Sequence, residues 1–138
     1  MTKAPRFIHL RTHSEYSLLE GALRCKQLPD MCVKAGMPAM ALTDTNNMFA
    51  ALEFSIGMSG AGVQPIIGCQ VDLEYVSAAP GEKVRPPAPV VLLAQSERGY
   101  EHLMKLNSCL YLDKGGAIPQ VTMAELAAHS EDVICLTG

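Results

Sequence analysis

Three short clusters in this 138-residue sequence combine residue types able to bind a metal or move a proton. The first is His9-Leu10-Arg11-Thr12-His13-Ser14, with Glu20 further on. The second is Thr43-Asp44-Thr45-Asn46-Asn47, and the third Gly68-Cys69-Gln70-Val71-Asp72. Imidazoles and carboxylates are ligands for first-row divalent metals, and the same groups serve as general acids and bases. His9, Arg11 and His13 share parity, so an extended chain places all three on one face. A lone histidine at a strand end more often orders its loop by hydrogen bonding, and His9 is read that way. No Ser/His/Asp arrangement has sequence support. Gly60 and Gly62 follow a helical stretch rather than a strand, so they mark a turn and no dinucleotide fingerprint.

These clusters need elements to hold them. Phe7 to Leu10 reads as a short strand. Leu28 to Ala35 reads as a helix ended by Gly36, with Pro29 in its first turn. Ala39 to Thr43 is a buried strand. Asn46 or Asn47 is expected to cap a helix running through Met48, Phe49, Leu52 and Ile56 to about Gly60. Val63 to Tyr75 is extended, and residues 78–89 form a proline-rich loop. Val90 to Ala94 is a strand. Glu97 to Leu112 is a helix with Tyr100, Leu103, Met104, Leu106 and Leu110 on its apolar side. Thr122 and Glu125 form a capping box, and Asp132 to Leu136 is a last strand. Continuous apolar strands separated by helices predict an α/β fold with a largely parallel sheet and flanking helices. The three clusters then fall at the C-terminal ends of strands, where sites in such folds collect.

Composition narrows the function classes. Hydrophobic residues make up 49%, which excludes a disordered chain. The net charge of -3 argues against free-standing nucleic-acid binding. With three Phe and no Trp, alkyl side chains must fill the core, and Met31, Met37, Met40, Met48, Met58 and Met104 are read as fillers. Five cysteines without a C-x-x-C pair fit buried thiols in a reducing compartment, with Cys69 a small buried hydrophobe. His102 and His129 are read as surface residues of helices. The sequence carries no apolar signal region and no run of membrane-spanning length, so it is read as cytoplasmic. A strand directly before Gly138 suggests a boundary inside a longer protein, leaving an open edge through which copies associate.

The stretch Phe7-Ile8-His9-Leu10-Arg11-Thr12-His13-Ser14-Glu15-Tyr16-Ser17-Leu18-Leu19-Glu20-Gly21 closely resembles the start of the bacterial replicative DNA polymerase III alpha subunits. So do Gly36 to Asp44, Gly62 to Gly68 and Glu97 to Leu103, in the same order. Those subunits begin with a polymerase-and-histidinol-phosphatase (PHP) domain, a distorted (β/α)7 barrel. The resemblance implies that residues 1–138 are its N-terminal part, with no polymerase palm, thumb or fingers.

Metal-binding PHP members end their first strand in His-x-His; here Arg11 stands at the first position and His13 at the second. Glu20 matches the acidic residue that follows. The second motif continues Asp-His in metal-binding members, but here Asp44 is followed by Thr45. The third supplies a glutamate where this chain has Gln70. Arginine has donors only and cannot ligate a cation, and a neutral amide oxygen is a weak ligand beside a carboxylate. The resemblance therefore implies a degenerate site of Arg11, His13, Glu20, Asp44, Thr45 and Gln70, with no catalytic residue, metal or cofactor. Arg11 is expected to pair with Asp44 or Glu20.

The resemblance further implies a non-catalytic structural domain of a polymerase that extends DNA primers, using Mg2+ held outside this chain. Its partners would be other polymerase subunits, notably the proofreading exonuclease, with DNA reached through the parent protein. The alternative is an active metal-dependent PHP phosphoesterase or nuclease relying on His13, Glu20 and Asp44.

Overall fold

The computed structural model describes residues 7–74, 80–81, 86–112, 114–115 and 117–137. After a 3-10 turn at Cys25–Gln27 comes α1, Leu28–Lys34. Pro29 lies in its first turn, where the missing N–H has no intrahelical partner to lose. Gly36 follows at φ +65°, the left-handed conformation that commonly closes a helix. The strand β1, Ala39–Leu42, is buried throughout. Then follow α2 (Ala51–Gly60), β2 (Gln64–Leu73), β3 (Ala88–Ala94) and α3 (Glu97–Cys109). Last come α4 (Met123–Ala128) and β4 (Val133–Leu136). The expected capping box is present. Thr122 Oγ1 accepts the Glu125 N–H at 3.1 Å and Glu125 Oε2 accepts the Thr122 N–H at 2.7 Å.

The sheet order is β1-β2-β3-β4. Only β1 and β2 pair in parallel; β2–β3 and β3–β4 are antiparallel. The expected largely parallel sheet is thus corrected, and a closed seven-stranded barrel is not what the described residues form. Continuous apolar runs report burial on both faces, which an antiparallel strand also has where Ala41, Val91 and Leu93 cluster on the second face. β3 starts at Ala88, so it takes in the end of the expected proline-rich loop; residues 78–79 and 82–85 of that loop lie outside the described residues. β4 pairs with Val91–Ala94 only, which leaves Pro89 where β3 has a single neighbour, as a proline in a sheet requires. Tyr75, the expected end of the second extended stretch, also lies outside the described residues.

Phe7–Leu10 is no regular strand. The His9 carbonyl accepts the Ala41 N–H and the Thr12 carbonyl the Thr43 N–H, each at 2.8 Å. Three residues on one side thus match two on the other, a bulged contact that spoils the ladder.

Helices build two cores against one face of the sheet. Leu28, Cys32, Met40, Leu42, Phe54 and Met58 form the first. Cys69, Val71 and Leu92 pack with Leu103, Leu106 and Leu110 of α3 in the second. Two of the six methionines read as fillers, Met40 and Met58, are fully inside, while Met31 and Met104 are exposed. On α2 the buried face carries Ala51, Phe54 and Met58; the expected apolar positions Phe49, Leu52 and Ile56 are exposed. Neither asparagine caps that helix: Ala50 is its N-cap, and Asn47 Oδ1 instead accepts the Phe49 N–H at 3.2 Å. His102 is buried rather than on the surface. It shares the α3 face of Gly99 and Leu106, and its Nδ1 lies 3.0 Å from the Glu131 carbonyl.

Candidate functional site

The ends of β1 and β2 and the loop before α1 bring the three clusters together. The parallel pairing continues past β1, with Gln70 N–H donating to the Asp44 carbonyl at 3.0 Å and Asn46 N–H to the Gln70 carbonyl at 2.7 Å. This fixes Asp44, Thr45 and Gln70 side by side. The loop from Ser14 to Gly21 then folds over them.

Asp44 is 2% exposed, and its carboxylate is filled by that loop. Oδ1 accepts the Ser14 N–H and the Ser17 hydroxyl, both at 2.6 Å, while Oδ2 accepts the Ser14 hydroxyl at 2.7 Å. Ser17 Oγ also accepts the Thr45 N–H at 3.0 Å. Ser14 stood in the first sequence cluster without a role, and Ser17 lay outside all three clusters. The available signal was two short hydroxyls three apart in a loop, a pattern that bonds to nearby polar groups in preference to helix or sheet.

The other side chains form a ring around Gln70. Its Oε1 accepts Arg11 Nε–H at 3.0 Å and lies 3.2 Å from His13 Nε2. Its amide nitrogen donates to Thr45 Oγ1 at 3.4 Å. Thr45 in turn donates to Glu20 Oε2 at 2.6 Å, and that oxygen lies 3.3 Å from His13 Nδ1. Both imidazole nitrogens thus face oxygens. The expected partner of Arg11 is corrected: it bonds to the neutral amide of Gln70 and to neither Asp44 nor Glu20. The physical reason is competition, since Ser14, Ser17, Thr45 and His13 already occupy the two carboxylates. His9 stands outside the ring; its ring stacks edge-on to Phe7, with centroids 4.6 Å apart, and its backbone carbonyl makes the bond that orders this segment.

Cys69, between Gly68 and Gln70, points away into the second core. Its sulfur lies 3.4 Å from both the Asp44 and the Asn47 carbonyl oxygens, either of which can accept its single S–H. Burial pushes the thiol up to about 12, which leaves it protonated and unreactive. Among the described residues, no three His, Cys, Asp or Glu side chains are grouped to hold a metal ion.

A loop-covered acid beside β1 and a His–Glu pair beside Gln70 of β2 thus lie together at one end of the sheet. The chain belongs to the PHP domain family, whose model matches residues 9–138. Its curated relatives include DNA polymerase III alpha subunits. That of Caulobacter vibrioides is 45% identical over 133 residues, covering 96% of this chain and 12% of the relative. That of Helicobacter pylori is 34% identical over 142 residues, covering 100% of this chain and again 12% of the relative. The chain therefore spans about one-eighth of the length of the curated relatives it matches. Two solved structures share the fold. A putative metal-dependent phosphoesterase from Bifidobacterium adolescentis has a TM-score of 0.54 at 14% identity, over 78% of this chain and 34% of that one. An amidohydrolase from Chromobacterium violaceum has a TM-score of 0.52 at 20% identity, over 73% of this chain and 38% of that one. No helix of the described residues is long and apolar enough to cross a membrane.

Proposed function

We propose that this chain is a non-catalytic structural part of the PHP domain of a replicative DNA polymerase alpha subunit. The observation that carries the reading is the bond from Arg11 Nε to Gln70 Oε1 at 3.0 Å. A fixed cation and a neutral amide stand where metal-binding relatives would need an imidazole and a carboxylate, and they satisfy each other. The donor set does not fit a multinuclear metal cluster. Asp44 has three of its roughly four acceptor positions taken by serine groups. Glu20 and His13 remain as a pair, too few to hold cations close together. On this reading the site braces the domain by hydrogen bonding.

The parent protein extends DNA primers with deoxynucleoside triphosphates in the cytoplasm, with its Mg2+ bound outside these residues. The domain contacts other polymerase subunits, notably the proofreading exonuclease. The alternative, an active metal-dependent phosphoesterase, draws its support from the surviving His13–Glu20 contact at 3.3 Å. Assays of phosphomonoester and single-stranded DNA hydrolysis with Zn2+, Mn2+ or Mg2+ separate the two. The expected result is no chelator-sensitive hydrolysis. Turnover that a chelator stops and that His13→Ala abolishes would establish the phosphoesterase instead.

A further inference from the structure

We propose that the cavity between α1 and the bulged segment at residues 9–13 is a binding site for a small aliphatic carboxylate. The cavity has a volume of 310 Å³, at the lower end of the range of about 300–1,000 Å³ found for small-molecule sites. Its wall is chemically two-sided. Leu28, Met31, Met37 and Met40 give an apolar floor, and Arg11 and Thr12 face it from the bulged segment. No carboxylate belongs to the wall.

Arg11 supplies the recognition. Its Nε is used by Gln70, and among the described residues its two terminal amino groups have no partner. Such a fork matches the two oxygens of a planar carboxylate. Arg11 is the one permanent charge in the wall, which His9 and His13 also line. The carboxylate nearest this arrangement in the hydrogen-bond ring, Glu20, is held by Thr45 and His13. The methionine floor has flexible, polarizable side chains that mould to a short alkyl chain.

Methionine-methyl NMR of the 138-residue chain, titrated with hexanoate, tests this. Met31, Met37 and Met40 should shift saturably while Met58 and Met104, elsewhere in the fold, stay in place. Hexylammonium, with the same chain and the opposite charge, should leave all five unmoved. Arg11→Gln should weaken hexanoate binding by about tenfold or more through loss of the charge-assisted pair. Met31→Glu should do the same; its position is 46% exposed, so the fold survives even where loss of the Arg11–Gln70 bond disturbs it. The proposal is overturned by an absence of shifts, by equal shifts from hexylammonium, or by undiminished hexanoate binding in Arg11→Gln.

Discussion

At the scale of single residues, Asp44 matters more to stability than Arg11. Arg11 is exposed and makes one bond to a neutral acceptor, so Arg11→Ala should cost about 1 kcal/mol. Asp44→Asn keeps the size but turns an acceptor into a donor facing Ser14 and Ser17, and should cost about 3 kcal/mol. Urea denaturation of the two variants gives the ranking, and a larger loss for Arg11→Ala would contradict it. That Arg11, His13, Glu20, Asp44, Thr45 and Gln70 come together was legible in the sequence, but their pairing was not. Charge alone pairs Arg11 with a carboxylate; the outcome depends on loop hydroxyls whose reach emerges only once residues 14–21 fold over β1. The thiols follow the same logic of burial. Burial pushes Cys25 up to about 11 and Cys69 to about 12. Iodoacetamide should therefore label Cys135 first, since it is exposed, and reach Cys25, Cys32 and Cys69 only after unfolding. Mass spectrometry of the alkylated native chain checks the order.

At the scale of elements, helix and strand positions other than Phe7–Leu10 were readable because periodicity and punctuation are local. Thr122 with Glu125, and Gly36 after α1, are cases where a residue pair or a single glycine settled an end. Strand direction was not readable, because it depends on how the connections route over the sheet. Two glycines set how closely elements approach. A Cβ at Gly68 would sit 2.5 Å from the Leu92 carbonyl oxygen, and one at Gly99 would sit 2.0 Å from that of Asp132. Gly68→Ala and Gly99→Ala should each lower the melting temperature by several degrees or prevent folding, as a backbone atom cannot rotate aside. The α4 start is pH-sensitive. The Thr122 N–H, with Lys114 adding to it, holds the Glu125 carboxyl below its ordinary value despite some burial. A depressed folded pKa stabilises above the unfolded value and is lost as pH falls through the folded one, so this contribution fades below about pH 4. Glu125→Gln should flatten the acid limb of the stability curve, and an unchanged limb would exclude the cap as its source.

At the scale of the whole molecule, the outer edge of β4 pairs with nothing among the described residues, and Ile134 beside it is 44% exposed. Unpaired edges without lysine or proline recruit other strands. Burying apolar surface there gains about 25 cal/mol per Å², against a net charge of only -3 per copy. Sedimentation at several concentrations should show species above 14.8 kDa at high micromolar levels, and Ile134→Lys should return the chain to 14.8 kDa. A clean monomer in the parent sequence would contradict this. The two-sided character of α2 has a different kind of consequence. With Phe54 and Met58 inside and Leu52 and Ile56 outside, rolling the helix half a turn exchanges one apolar set for the other, so hydrophobicity by itself scarcely distinguishes the two packings. What breaks the near-degeneracy is shape: Gly57 lies against Pro29, where even a Cβ would come within 3.2 Å of Pro29 Cγ. Two apolar faces on one helix predict a competing packing in the folding landscape. Making Leu52 and Ile56 glutamine should remove that packing, so that thermal unfolding becomes sharper even though two large apolar side chains have been taken away.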